Sequence, residues 1–73
     1  MNNLILMTFD RNLSAGQEAY IDRAVKSVDS DAFCHGGHLG TRAHIGYDDV
    51  EIDGITRRAI LTAARKAKEQ VSR

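Results

Sequence analysis

The chain has 73 residues, enough for one small domain but too few for a deep cleft framed by two lobes. Its formal net charge is zero and its apolar and charged fractions are ordinary, which argues against wholesale disorder. The single cysteine, Cys34, excludes an intramolecular disulfide and favours a reducing compartment. The apolar run from Leu4 to Met7 is too short for a secretory signal or a membrane span, so we expect a cytoplasmic protein without membrane contact.

The first half of the chain predicts a strand, a helix and a second strand. Leu4 to Phe9 is a short apolar run, typical of a strand covered on both faces or nearly so. Ser14-Ala15-Gly16-Gln17 matches a capping box, and the amphipathic helix that follows should end near Val28. Ala32 to His35 is typical of a short strand, and Gly36-Gly37 can close a turn with positive φ.

The second half predicts a further strand and a long helix. Ala43, Ile45 and Tyr47 alternate with polar or small residues, which indicates a half-buried strand. Val50 and Ile52 could extend this sheet or lead into the next helix. Asp53 is a candidate N-cap for that helix, which we expect from Ile55 to about Val71 with a narrow apolar seam formed by Ile60, Ala64, Ala67 and Val71. We therefore predict a single α+β domain over residues 1–73, ordered β-α-β-β-α, in which both helices cover one face of a sheet of about three strands.

The charges are unevenly distributed along the chain. Residues 1–54 carry four basic and nine acidic side chains, whereas residues 55–73 carry six basic and one acidic. Such asymmetry indicates a partner met through charge, or a basic helix that complements its own dipole and an acidic body. Helical spacing gathers five residues, hereafter the basic stripe, on one side of the last helix: Arg57, Arg58, Leu61, Arg65 and Lys68.

The basic stripe has more than one interpretation. It could contact nucleic-acid phosphates or an acidic protein groove, or it could be an ordinary solvated helix face. No aromatic residue is interleaved with it, so recognition of single strands by base stacking is not indicated. These residues are our candidate partner-binding positions.

One further group of residues has the chemistry of metal ligands: Cys34, His35, His38 and His44. Four-ligand zinc sites usually take their ligands in two pairs, and a single thiolate makes a weak structural site, so we expect neither a metal nor another cofactor. The histidines could instead be solvated or pack against the sheet. His38 or His44 could also contact a partner's phosphate or carboxylate, or support a small RNA nuclease or toxin. Adjacent strand residues face opposite ways, so His35 is badly placed to activate Cys34. With no catalytic motif, we expect a binding protein rather than an enzyme.

The length of the chain, its opening MNNLILMTFDR and its glycine-rich middle resemble a small transcription regulator made by a lytic phage of Xanthomonas. Such regulators form a functional group, tiny phage products that bind the RNA polymerase of the host. The group has no shared motif, so the resemblance assigns no role to an individual residue.

The resemblance implies a partner and an activity. The partner would be bacterial RNA polymerase, chiefly the amino-terminal region of its β′ subunit, in the cytoplasm of the host cell. The expected effects are inhibition of initiation by loosening of the σ factor and readthrough of terminators by elongating polymerase. A protein bound to this region of the polymerase could also contact nascent RNA.

Overall fold

The computed structural model describes residues 3–37 and 42–71, which form three strands and two helices. Their bounds are β1, Leu4–Thr8; α1, Ala15–Lys26; β2, Ala32–His35; β3, His44–Tyr47; and α2, Gly54–Val71. The strands form one antiparallel sheet in the order β1-β3-β2. The predicted α+β class and the order β-α-β-β-α are confirmed.

Helix α1 begins with the capping box that the sequence predicts. The Ser14 hydroxyl accepts a hydrogen bond from the Gln17 amide at 3.2 Å, and the Gln17 side chain accepts one from the Ser14 amide at 3.0 Å. The helix ends at Lys26, two residues before the predicted end. The amides of Val28 and Asp29 both donate to the Val25 carbonyl, so the chain turns toward β2 there.

Strand β1 differs from its prediction. It lies at one edge of the sheet, and Ile5 is 65% exposed, so the expectation of a strand covered on both faces is wrong. The register with β3 shifts between Ile5 and Met7, which leaves Leu6 as a bulge residue. The bulge interrupts the alternation of side chains between the two faces of the sheet. Leu6 can therefore be buried within an unbroken apolar run. Phe9 follows the strand and is buried.

Two glycines end β2 as predicted. Gly36 and Gly37 have φ angles of 92° and 99°, which residues with a Cβ atom rarely adopt. A Cβ on Gly37 would also lie 2.7 Å from the amide nitrogen of Leu13, so the loop before α1 packs directly against this turn. Ala43, Ile45 and Tyr47 are buried as predicted, but Gly46 is buried as well, so β3 is more fully covered than the half-buried strand that the sequence indicates.

Both helices pack on one face of the sheet, hereafter the inner face, as the sequence predicts. Ile21 and Val25 of α1, Ile60 of α2 and Ile45 of the central strand are fully buried members of one hydrophobic core. The seam of α2 is confirmed at Ala64 and Ala67, which are buried, and Val71 packs against the core. Burying each of these large aliphatic side chains contributes about 1.5–3 kcal/mol to folding.

The segment between β3 and α2 is not a fourth strand. Val50 is 52% exposed, whereas Ile52 packs against the core and leads into α2. Asp53 caps the helix as expected, because its carboxyl accepts hydrogen bonds from the side chain and the backbone of Thr56. These hydrogen bonds lower the pKa of the Asp53 carboxyl below its ordinary value. Among the described residues, neither helix is long and apolar enough to cross a bilayer.

Candidate interaction surface

The basic stripe borders the buried seam of α2: its arginines are exposed, whereas Leu61 and Lys68 are half-buried. Four of its five residues, together with Gly54, surround an open depression of about 270 Å³: Arg57, Arg58, Leu61 and Arg65. The helical spacing therefore brings together the side chains that the sequence analysis grouped. Leu61 is half-buried and packs against the core, so it forms the apolar floor between exposed guanidinium groups.

Two cations of the stripe are held by the domain itself. The Lys68 ammonium lies 3.2 Å from Asp10 Oδ1 and 5.4 Å from the centre of the Phe9 ring. The hydrogen bond from Lys68 holds the pKa of the Asp10 carboxyl below its ordinary value. Arg57 Nη2 lies 3.5 Å from the carbonyl oxygen of Leu6, a long contact. Arg57 and Lys68 therefore connect α2 to β1 and the residues that follow it.

The other two cations are available to a partner. Arg58 and Arg65 are exposed and make no ion pair or hydrogen bond with another described residue. Their charges are therefore not neutralised within the described part of the domain. A partner carboxylate or phosphate would gain two planar donor groups at this position.

Two residues from outside α2 lie beside the basic stripe. Met7 and Arg11 share an open depression of about 440 Å³ with Arg65, Lys68 and Glu69. Arg11 comes from the β1–α1 connection and extends the basic surface beyond the helix. Helical spacing could not reveal this neighbour, because it depends on how the loop folds over β1. Glu69 places one acidic group at the edge of the same depression.

A second depression lies beside the stripe on α2. Its volume is about 470 Å³, and six residues line it: Ile55, Arg58, Ala59, Thr62, Ala63 and Lys66. We call this set the α2 patch. Ile55 is 83% exposed, the largest value among the exposed large apolar side chains of the described residues. Sequence reasoning placed Ile55 only as the start of the helix, although its position off the buried seam was a usable signal.

The candidate metal ligands do not form one cluster. Cys34 is buried on the inner face of the sheet, whereas His35 and His44 point to the opposite face, hereafter the outer face. His38 lies outside the described residues. Among the described residues, no group of three or more histidine, cysteine, aspartate or glutamate side chains converges in a way that could hold a metal ion.

Cys34 also lacks the environment of a reactive thiol. Burial, together with the nearby carboxylates of Glu18 and Asp22, raises the pKa of its thiol to about 12. The thiol is therefore protonated at neutral pH, whereas only the deprotonated thiolate acts as a nucleophile. His44 is half-buried and contacts the rings of Phe33 and His35 edge to face, with ring centres 6.0 Å apart in each pair.

The fold and this surface define the class of molecule, a two-layer α+β domain whose longest helix presents an apolar and basic face. Comparison with protein-family models, curated proteins and solved structures finds no match to this chain.

Proposed function

We propose that this protein is a non-catalytic transcription regulator that binds bacterial RNA polymerase through the exposed side of α2. The resemblance to small phage regulators supports the choice of partner, including the amino-terminal region of the β′ subunit. It also supports the effects, which are inhibition of initiation through displacement of σ and readthrough of terminators. The surface of α2 supports the mode of binding, and the cytoplasm of the infected cell is the corresponding location.

The exposure of Ile55 is the observation that carries the mode of binding. An aliphatic side chain left 83% exposed beside two cations offers apolar area that a docking partner can cover. Covering it fully would contribute about 1.5–3 kcal/mol to association. Arginine next to a desolvated apolar anchor is a common composition at the centre of protein interfaces.

Charge supports an acidic protein surface as the partner of this face. Arg58, Arg65 and Lys66 have no ion-pair partner among the described residues, and Glu69 is the single acidic residue of α2. Complementary charge of this kind accelerates encounter and fixes the orientation of docking. The unpaired guanidinium groups also allow a phosphate contact with nascent RNA near the docked protein.

The experiment combines binding with transcription. The full chain is added to purified RNA polymerase, and affinity, promoter-specific initiation and terminator readthrough are measured in parallel. We expect a stable complex, less initiation and more readthrough. If the protein binds neither the core enzyme nor the holoenzyme, RNA polymerase is not its partner. Tight binding to bare RNA would instead favour a nucleic-acid-binding module.

Two matched variants test the face. Ile55→Asp places a charge in the α2 patch and should weaken binding to polymerase at least about tenfold. Ile5→Asp makes the same change on the outer face of the sheet, at a residue that is 65% exposed, and should leave affinity unchanged. Urea unfolding of both variants separates loss of contact from loss of structure. Equal effects of the two substitutions would remove the α2 patch from the interface.

A further inference from the structure

Two histidines meet on the outer face of the sheet, away from the α2 surface. His35 of β2 and His44 of β3 are directly paired in the antiparallel register. Their ring centres are 6.0 Å apart and their planes are inclined by 73°. Directly opposed residues of neighbouring strands have Cβ atoms about 5 Å apart, so both imidazoles can reach a common point above the sheet.

We propose that His35 and His44 form a two-histidine binding site for a divalent transition metal such as copper, nickel or zinc. Imidazole nitrogen is a ligand that suits these ions. Neither ring makes a hydrogen bond or an ion pair with another described residue, so ring nitrogens of both are available as metal ligands. His35 is exposed, which gives the ion a path from solvent.

The separation of the rings fits this assignment. Metal–nitrogen bonds of about 2.0–2.1 Å and a tetrahedral angle place the centres of two shared imidazoles roughly 5 Å apart. The observed 6.0 Å therefore requires an approach of roughly 1 Å, which rotation of the exposed His35 side chain would supply. Phe33 contacts His44 edge to face and helps to orient the His44 ring, which is the less exposed of the two.

Two protein ligands define the kind of site. Cys34 is on the inner face and cannot contribute, and no third metal-ligating side chain of the described residues converges on the pair. The described residues leave the remaining coordination positions open to water. We therefore expect exchangeable binding of micromolar strength rather than a structural zinc, with copper bound more tightly than nickel in accordance with the general order of affinities.

The test uses the full chain without an affinity tag. Zinc or nickel is titrated into the labelled protein, and ring resonances of the histidines are followed by NMR while calorimetry gives the affinity. We expect saturable binding that shifts the ring signals of His35 and His44. His35→Ala and His44→Ala should each weaken binding at least about tenfold, because one imidazole alone is a poor chelator.

His38→Ala is the matched control, because it removes the third histidine of the chain. Its affinity for the metal should stay within about threefold of the parent, since the pair supplies both protein ligands. Circular dichroism establishes that all three variants are folded. The site would be overturned by the absence of saturable binding below about millimolar metal, by binding that survives His44→Ala, or by a loss in His38→Ala as large as in His35→Ala.

Discussion

The ring of Phe33 lies across the backbone of Gly46, its directly paired neighbour on the outer face of the sheet. A Cβ built on Gly46 would overlap three atoms of that ring, including Cε1 at 2.7 Å. The glycine is buried although it lies on the face that the helices leave uncovered. The absence of a side chain at Gly46 therefore allows an aromatic residue to cover the central strand.

The close approach of Phe33 to Gly46 predicts a specific stability change. Gly46→Ala should destabilise the domain by about 1 kcal/mol, because displacing the Phe33 ring costs about 1–3 kcal/mol and alanine recovers about 0.5–1 kcal/mol of backbone entropy in a strand. Urea unfolding measures the change. In a Phe33→Ala background the same substitution should cost less, since the obstructing ring is gone.

Gly16→Ala is the matched control for that experiment. Gly16 lies in the first turn of α1, where a Cβ would meet only the Ser14 hydroxyl at 4.0 Å. Alanine is favoured over glycine in helices by about 1 kcal/mol in the interior, so this variant should be neutral or more stable. Equal stability of Gly46→Ala and the parent protein would contradict the packing described here.

The buried thiol of Cys34 predicts low reactivity. Its side chain is 3% exposed and its pKa is raised to about 12, so the native protein contains almost no accessible thiolate at neutral pH. A thiol-specific disulfide reagent should react at least about 100-fold more slowly with the native chain than with the urea-unfolded chain. Similar rates in the two states would place Cys34 at the surface.

Tyr47 predicts a loss of stability in alkali. Its hydroxyl donates a hydrogen bond to Asp29 Oδ2 at 2.9 Å, and this bond, with desolvation and nearby carboxylates, raises the pKa of Tyr47 to about 12. The folded state thus favours the neutral phenol. Its contribution is fully present below the unfolded pKa of about 10 and is lost as the pH rises toward about 12.

Urea unfolding at a series of pH values between these limits measures this dependence. Tyr47→Phe cannot ionise, so the parent protein should lose more stability than this variant as the pH rises. Contributions from the lysines are common to both proteins and cancel in the comparison. Parallel pH profiles for parent and variant would show that folding does not raise the pKa of the Tyr47 hydroxyl.

Much of the fold follows from periodicity and caps, because these signals are local. The capping box at Ser14, the glycine turn and the seam of α2 around Ala64 were all predictable from neighbouring residues. The exposed face of β1 was not, because the bulge at Leu6 makes a one-sided strand read as a fully apolar run. Bulges depend on pairing with another strand, which sequence alone does not specify.

The candidate surface was predictable only in part. Helical spacing grouped Arg58 and Arg65 correctly on the exposed side of α2. It could not show that Lys68 is held by Asp10, or that Arg11 extends the basic surface, since both depend on contacts between distant segments. The pairing of His35 with His44 likewise required the register of the sheet.

The central claim is that the exposed cations of α2 contact RNA polymerase, and reversing them tests it most directly. The double variant Arg58→Glu, Arg65→Glu is compared with Arg23→Glu, Arg42→Glu, which makes the same charge change at two exposed residues outside α2. Affinity for purified polymerase is measured at low and at high salt. The α2 variant should bind at least about tenfold more weakly, with the larger difference at low salt, where exposed charges are less screened. Unchanged affinity of the α2 variant, or an equal loss in the control, would contradict the proposed interface.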